Sequence, residues 1–472
     1  MGSVLQNAAG RTVWGVGLSM LMGARTGEEN LFSALRATAQ EQAADADTAR
    51  SEPLGRIRAT GLLAKPQWLP VLQGLDPYTE VVRTLRKATL ASEAVAQFPY
   101  DWRLAVSYNG ALLARVARAH LERWRELTAS VPEWRAAGER SPRLVFVAHS
   151  MGGLVVRAAL EQNPELAADT RAVVTVGTPF LGSAKAVSAL NLVHAQSGPG
   201  RLMRNVQAMA ASLPAVHDLL PGYRCLDLGA DVERLAPGDV VRFGGDANLA
   251  ARSLEQHARY RLSGFAMPGH RAVVGEAQVT TQTLEERAGI AVGLRHAFDV
   301  EEDGTLVRDP ATGIPARRDA SGDGTVHIPS ARAGTEAVTY VYGQHGTLMR
   351  HDEVLRQIRR IVLERPPSIY LGGDGSGIGP GLETPELGGT FGAPLALRVT
   401  GLESLSGARL EVHSVTTGRA GHPLDLRWDP DHTDGAASAE FFADAPDLYR
   451  VVLDTGRHTP ISQLVLVTPP DA

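Results

Sequence analysis

A serine between a short apolar run and an apolar helical pattern is where this chain first offers chemistry. Leu144-Val145-Phe146-Val147-Ala148 has the character of a buried parallel strand. His149-Ser150-Met151-Gly152-Gly153 then turns, and Leu154, Val155, Ala158 and Leu160 continue at helical spacing. Strand, tight turn with a serine at its apex, then helix: this is the layout of a nucleophile elbow of G-x-S-x-G type, with Ala148 in place of the first glycine. Such a turn lifts the hydroxyl clear of a sheet, and the unpaired N–H groups at the helix start favour a developing negative charge. The plainer alternative is a buried strand followed by a helix that Ser150 merely caps.

A serine nucleophile needs a base to take its proton and an acid to orient that base. In hydrolases of this layout the chain order is Ser, then Asp or Glu, then His. Asp303 and Asp323 each open an Asp-Gly-Thr sequence. Asp303 lies between the alternating halves AFDV and TLVR, which fits a hairpin turn. Asp323 lies in the glycine-rich loop Ser321–Val326, which can present a carboxylate. Three histidines compete for the base. His149 adjoins Ser150, so the two side chains point different ways. His351 precedes Asp352 at a helix start, where capping is role enough. His345 follows the apolar segment Val338–Tyr342 through Gly343-Gln344, and it is favoured.

The elements that must position these groups alternate. Asp76–Thr89 reads as a helix with Val81, Val82 and Leu85 on one face, and Ser107–Leu127 as a long amphipathic one. Arg171–Gly177 is another parallel strand, Ala272–Val274 begins the next, Val338–Tyr342 is the last, and Asp352–Leu363 closes the sheet. Strands alternating with helices give a doubly wound α/β sheet, whose chemistry sits beyond the strand carboxyl ends. Before it, residues 1–60 show one helix at about Asn30–Gln40 and a polar loop at Ala43–Glu52. An inserted cap at about 183–270 carries apolar residues such as Leu190, Met209 and Leu213, expected in part to face an acyl-binding cleft. The expected domains are a hydrolase domain over 1–365, a Gly/Pro-rich linker over 366–394 and a small all-β sandwich over 395–472. Asp429, Asp431, Asp434 and Gly435 have the composition of a calcium loop at the wrong spacing, and read as a polar turn.

Composition excludes several classes. The 472 residues have a net charge of −5, and the lysines are Lys65, Lys87 and Lys185, the remaining cations being arginine. That balance does not suggest nucleic acid. Cys225 alone cannot build a disulfide framework or a cysteine metal cluster. No apolar run reaches the ~18 residues a membrane span needs. The stretch Thr12–Ala24 is too interrupted by glycine and serine for a signal peptide, so a cytoplasmic location is expected.

Taken together, FPYDWR at 98–103, AHSMG at 148–152, GTP at 177–179, GDGTV at 322–326 and His345 resemble the lecithin:cholesterol acyltransferase family over about residues 1–362. The resemblance implies an α/β-hydrolase fold with cap and lid. It implies an acyl-enzyme route on acyl esters of lipids, with water or an alcohol as acceptor and no metal or organic cofactor. Ser150, Asp323 and His345 match the family's nucleophile, acid and base, Met151 N–H matches an oxyanion donor, and Tyr100-Asp101-Trp102-Arg103 matches structural support. It also implies an apolar strand ending in Pro-Gly before the segment Met1–Leu5, followed by the second oxyanion donor. The expectation is therefore a domain short of its first strand, through a start assigned too late or through truncation. The expected activity is lipid acyl hydrolysis or O-acyl transfer, the alternatives being a non-catalytic binding scaffold or a small-ester carboxylesterase. Expected partners are a lipid or other acyl ester, a transient membrane or micelle surface, and an unidentified protein for the C-terminal domain.

Overall fold

The computed structural model describes residues 2–15, 31–63, 78–131, 141–192, 201–301, 305–332, 335–364, 376–385, 388–417, 421–429 and 435–470. The opening segment is richer in structure than expected. β1 (Ser3–Asn7) pairs antiparallel with β2 (Thr12–Trp14) on one edge and β3 (Ile57–Leu62) on the other. Among the described residues between β2 and β3 are the short helices Leu31–Leu35, Ala39–Ala43 and Ala46–Ser51. The last replaces the expected polar loop, because Asp45 accepts from Thr48 N at 2.9 Å and caps a helical turn instead of breaking one.

β4 (Leu144–His149), β5 (Thr170–Val176), β8 (Arg271–Glu276) and β13 (Val338–Tyr342) form a parallel sheet in the order β13-β8-β5-β4. Val173, Val174, Val176, Val274 and Val341 are fully or nearly fully buried in it, the dry two-faced setting that parallel strands require. The helices Val106–Ser130 and Met151–Glu161 pack against each other beside the sheet. Gly110 lets them approach, since a Cβ there would meet the Ala158 Cβ at 2.8 Å. Among the described residues no strand pairs with the outer edge of β4, and Val145, Phe146 and Val147 on it are only half-buried.

The cap comprises the helices Lys185–Leu190, Arg201–Ser212, Pro214–Asp218, Pro237–Arg242 and Ala247–Leu262. Its two short strands β6 (Leu226–Asp227) and β7 (Val232–Glu233) join β9 (Thr283–Arg287) and β10 (Ile290–Leu294) in one sheet. The cap therefore also takes in β9 and β10, which follow β8 of the main sheet. Among the described residues, the apolar residues named for the cap pack into cores and do not line a cleft. Leu190 packs with Val240, Phe243 and Leu284 in a core of the cap's own, and Met209 and Leu213 pack with the sheet-side core. The hairpin expected around Asp303 survives as a bridge between Val300 and Leu306. Beyond it β11 (Ala297–Phe298) pairs with β12 (Arg317–Arg318), and Asp303 itself lies outside the described residues.

The C-terminal segments form two packed sheets. β14 (Gly381–Glu383), β16 (Leu395–Thr400), β20 (Ala437–Phe441) and β19 (Arg427–Trp428) make one. β15 (Gly389–Thr390), β22 (Ile461–Thr468), β21 (Asp447–Asp454), β17 (Arg409–Ser414) and β18 (His422–Leu424) make the other. Leu397, Val399, Val412, Val451 and Val465 fill the space between. The expected linker is corrected here: its residues 381–383 and 389–390 are strands of the sandwich, because each finds a ladder partner. Asp429 accepts from Arg398 Nε at 2.9 Å and from Ser438 Oγ at 2.5 Å, which gives it a structural role.

The Tyr-Asp-Trp-Arg segment holds the opening helices to the body. Arg103 is fully buried and donates to Asp101 Oδ2 at 2.6 Å and to Glu41 Oε1 at 2.9 Å, with Leu35 O a further acceptor. Removing Arg103 leaves Asp101 buried without a counter-charge, while Glu41 keeps only Arg56. Arg103→Ala is therefore expected to lower unfolding stability by about 3–5 kcal/mol, measured by denaturant titration. A loss below about 1 kcal/mol would mean the cluster is solvated in solution.

Candidate active site

Ser150 sits at the turn between β4 and the helix Met151–Glu161 with φ 55° and ψ −132°, a conformation that side chains with a Cβ avoid. Two contacts hold it there: Ser150 N donates to Val176 O at 2.9 Å, and Thr178 Oγ1 donates to Ser150 O at 3.0 Å. Gly153 is what lets Thr178 come so near, since a Cβ there would fall 2.2 Å from Thr178 Oγ1. Strain of this kind costs about 1–3 kcal/mol and is held by surrounding structure. Ser150→Gly should consequently be more stable than Ser150→Ala by about 1–3 kcal/mol in thermal melts. Equal stabilities would show that the elbow relaxes. Met151 is the first residue of the helix, so its N–H is one of the donors without an intrahelical partner.

The structure brings Asp323 and His345 to this turn. Asp323, 1% exposed, follows a tight backbone turn with φ 50° at Ser321. Its Oδ1 accepts from Thr325 N at 3.0 Å and Val326 N at 2.8 Å. Its Oδ2 meets His345 Nδ1 at 2.7 Å, and the backbone His345 N donates to Asp323 O at 2.8 Å. His345 Nε2 then lies 2.8 Å from Ser150 Oγ. With the carboxylate accepting, Nδ1 carries the proton and Nε2 is free to accept the serine O–H. Room for this pair comes from two glycines. A Cβ at Gly177, where φ is +57°, would meet Asp323 Oδ2 at 2.8 Å and His345 Nδ1 at 3.1 Å, and one at Gly275 would meet the Asp323 Cβ at 2.5 Å.

The other histidines go where the spacing put them. His351 caps the helix Asp352–Val362, its Nδ1 accepting from Glu353 N at 3.2 Å. His149 does not face Ser150. Its Nε2 donates to the carbonyl of His345 at 2.9 Å, and its Nδ1 accepts from the Tyr78 hydroxyl at 3.2 Å. Burial, with the nearby His345 ring adding to it, pushes His149 down to about 3. It therefore stays neutral near neutral pH, and as a donor it braces the loop that carries His345. His149→Gln should leave the shape of the pH–rate profile unchanged between pH 5 and 9. A displaced acid limb would make His149 a titrating participant.

Tyr78 and the two buried glutamines Gln278 and Gln344 escaped sequence reasoning, because their roles depend on residues far along the chain. Gln344, just before His345, points its Nε2 at Leu382 O (2.9 Å), Gln278 Oε1 (3.1 Å) and Gln463 Oε1 (3.2 Å). Gln278 Nε2 donates to Pro380 O at 3.0 Å. The loop that carries His345 is thus tied to the C-terminal sandwich. No motif marks these residues, although a glutamine beside a candidate base was visible.

A cavity of about 1120 Å³ contains Ser150 and His345. It is lined by β4, by Val82 and Leu85 of the helix Thr79–Ala88, and by Leu113, Val116 and Leu121 of Val106–Ser130. Gly2 and Ser3 reach it at one place, and Arg450 and Ser462–Leu464 of the sandwich at another. Lys185 is the cap's contribution among the described residues. Among those residues no group of three or more His, Cys, Asp or Glu could hold a metal, and no helix is long and apolar enough to cross a membrane.

The sequence matches the model of one family, described as lecithin:cholesterol acyltransferase, over residues 11–254, just over half of the 472 residues. The distantly similar solved structures include a lipase and a phospholipase. The lipase BlEst2 of Bacillus licheniformis in propeptide form is 12% identical, covering 77% of this chain and 83% of that one at a TM-score of 0.30. The phospholipase PlaB of Legionella pneumophila is 10% identical, covering 83% and 89% at a TM-score of 0.22. Likeness this faint carries no argument about either fold or activity. No curated protein matches the chain. The matched stretch holds Ser150 and the Tyr-Asp-Trp-Arg segment, and on it the chain belongs to the lecithin:cholesterol acyltransferase family, with the α/β-hydrolase fold.

Proposed function

We propose that this protein is a serine-dependent lipid acyl hydrolase or O-acyltransferase working through an acyl-enzyme. Family membership supports lipid acyl hydrolase or acyltransferase activity as the general class. The finer reading is carried by the unbroken line Asp323 Oδ2–His345 Nδ1 (2.7 Å) and His345 Nε2–Ser150 Oγ (2.8 Å). Ser150 Oγ attacks the ester carbonyl while its proton passes to His345 Nε2. The carbonyl electron pair becomes an oxyanion, and the Met151 N–H helps to stabilise it. Collapse re-forms the carbonyl and expels the alcohol, which takes the proton from His345. Water or a second alcohol then attacks the acyl-Ser150, giving its proton to His345, and collapse returns that proton to Ser150. Asp323 holds the imidazole in the tautomer both halves need. The acyl chain lies in the apolar part of the cavity along β4, not under the cap.

Turnover of p-nitrophenyl esters of short and long acyl chains, with and without detergent micelles, tests this reading. Faster turnover of long chains, enhanced by micelles, is expected. Preference for short chains without micelle enhancement would make the protein a small-ester carboxylesterase. No turnover of any ester, with no labelling by a fluorophosphonate, would make it a binding scaffold.

A further inference from the structure

Arg450, which no carboxylate of a described residue pairs with, lines the cavity that holds Ser150. Arg450 lies on β21 directly opposite Leu464 of β22, and Ser462 falls on the same face two residues away. All three line the cavity together with Gln344 and His345. The Arg450 Nε is buried with no hydrogen-bond partner, and among the described residues no carboxylate pairs with this side chain. Burial lowers its pKa, and so does the charge of Arg350, in the turn that begins at His345. Arg103, by contrast, meets Asp101 and Glu41, and Arg398 of the facing sheet meets Asp429. A half-buried cation left unmatched is costly to hold unless a ligand supplies the opposite charge.

The surroundings say what kind of ligand. The cavity is apolar along β4, so its occupant has an apolar portion as well as a charge. The planar guanidinium fork matches the oxygens of a phosphate in a bidentate way, and the Ser462 hydroxyl adds a donor for a further oxygen. We propose that Arg450 binds a phosphate carried by an amphiphilic acyl ester, so that the C-terminal sandwich sets which head group the site accepts. Arg450 is a specificity-determining residue in this account. It deepens the serine-ester reading above and rests on it for the word ester, while the anion subsite stands on its own geometry.

Binding and turnover test it separately. In titration calorimetry below their micelle concentrations, the full chain meets dodecyl phosphate, an uncharged polyoxyethylene dodecyl ether and inorganic phosphate. The wild type should bind dodecyl phosphate at least about tenfold more tightly than Arg450→Met, which keeps the apolar stem and guards against misfolding. Arg450→Lys should retain part of that affinity, and the ether should bind all three proteins alike. Equal affinity of wild type and Arg450→Met for dodecyl phosphate overturns the subsite. Inorganic phosphate binding as tightly as dodecyl phosphate overturns the amphiphile. In turnover, Arg450→Met should raise KM about tenfold or more for a phosphate-bearing ester while leaving an uncharged ester and fluorophosphonate labelling unaffected. Loss of turnover on both esters alike overturns the head-group role. A wild type that fluorophosphonate does not label would sink the serine mechanism, and the titration would still decide the subsite.

Discussion

Ser150→Ala is expected to lose all labelling by a fluorophosphonate probe and to lower kcat by about 10⁴–10⁶-fold. The size follows from the arrangement. His345 Nε2 is 2.8 Å from the hydroxyl it would deprotonate, and no other hydroxyl of a described residue shares that hydrogen bond. Removing the oxygen removes the covalent step, and what remains is binding and whatever the Met151 N–H contributes to an attacking water. The substitution adds no bulk and keeps the backbone donor to Val176 O, so the fold should persist. Circular dichroism and thermal melts establish that independently. Labelling of Ser150→Ala at the wild-type rate would place the nucleophile elsewhere.

Asp323→Asn should cost about 10⁴-fold in kcat with little change in stability. Asparagine keeps the Oδ1 that accepts from Thr325 N and Val326 N, so the loop can stay closed. Its amide presents N–H₂ to His345 Nδ1 where the carboxylate presented Oδ2 at 2.7 Å. A donor facing Nδ1 drives the imidazole proton to Nε2, which then cannot accept from Ser150. The imidazolium formed during attack also loses its counter-charge. Steady-state kinetics with a soluble ester measures this, and a loss smaller than about tenfold would remove Asp323 from the chemistry. The Gly177 approach makes a related point. That residue leaves space for both groups because it carries no Cβ.

Much of the site could be read from local pattern. Ser150 announced itself through a strand, a turn of small residues and a helix, all within Arg143–Leu160. Asp323 and His345 followed from loop composition and from position after the last strand. The capping role of His351 was legible because a helix start needs an acceptor within two or three residues, and His351 Nδ1 supplies it to Glu353 N. Other features were not legible. The Ala46–Ser51 helix was hidden behind polar residues that cap as readily as they loop. The strands β1, β2 and β3 were hidden in a Gly/Ala-rich stretch, and β1 finds its second partner, β3, some 50 residues on.

The sequence by itself determined the parallel sheet, the elbow and the order of the candidate acid and base. These rest on hydrophobic periodicity and turn chemistry, which act over a few residues. Only the tertiary structure decided where the apolar cavity lies, which is along the open edge of β4 and not beneath the cap. It also decided that His149 braces the base loop, and that the sandwich meets the site through Gln344 and Arg450. Those outcomes depend on which buried surfaces find each other and on where a donor at one position meets an acceptor a hundred or more residues away. No local pattern encodes such a meeting, because a glutamine or arginine has the same propensity whether it faces water, a carbonyl or an empty cavity.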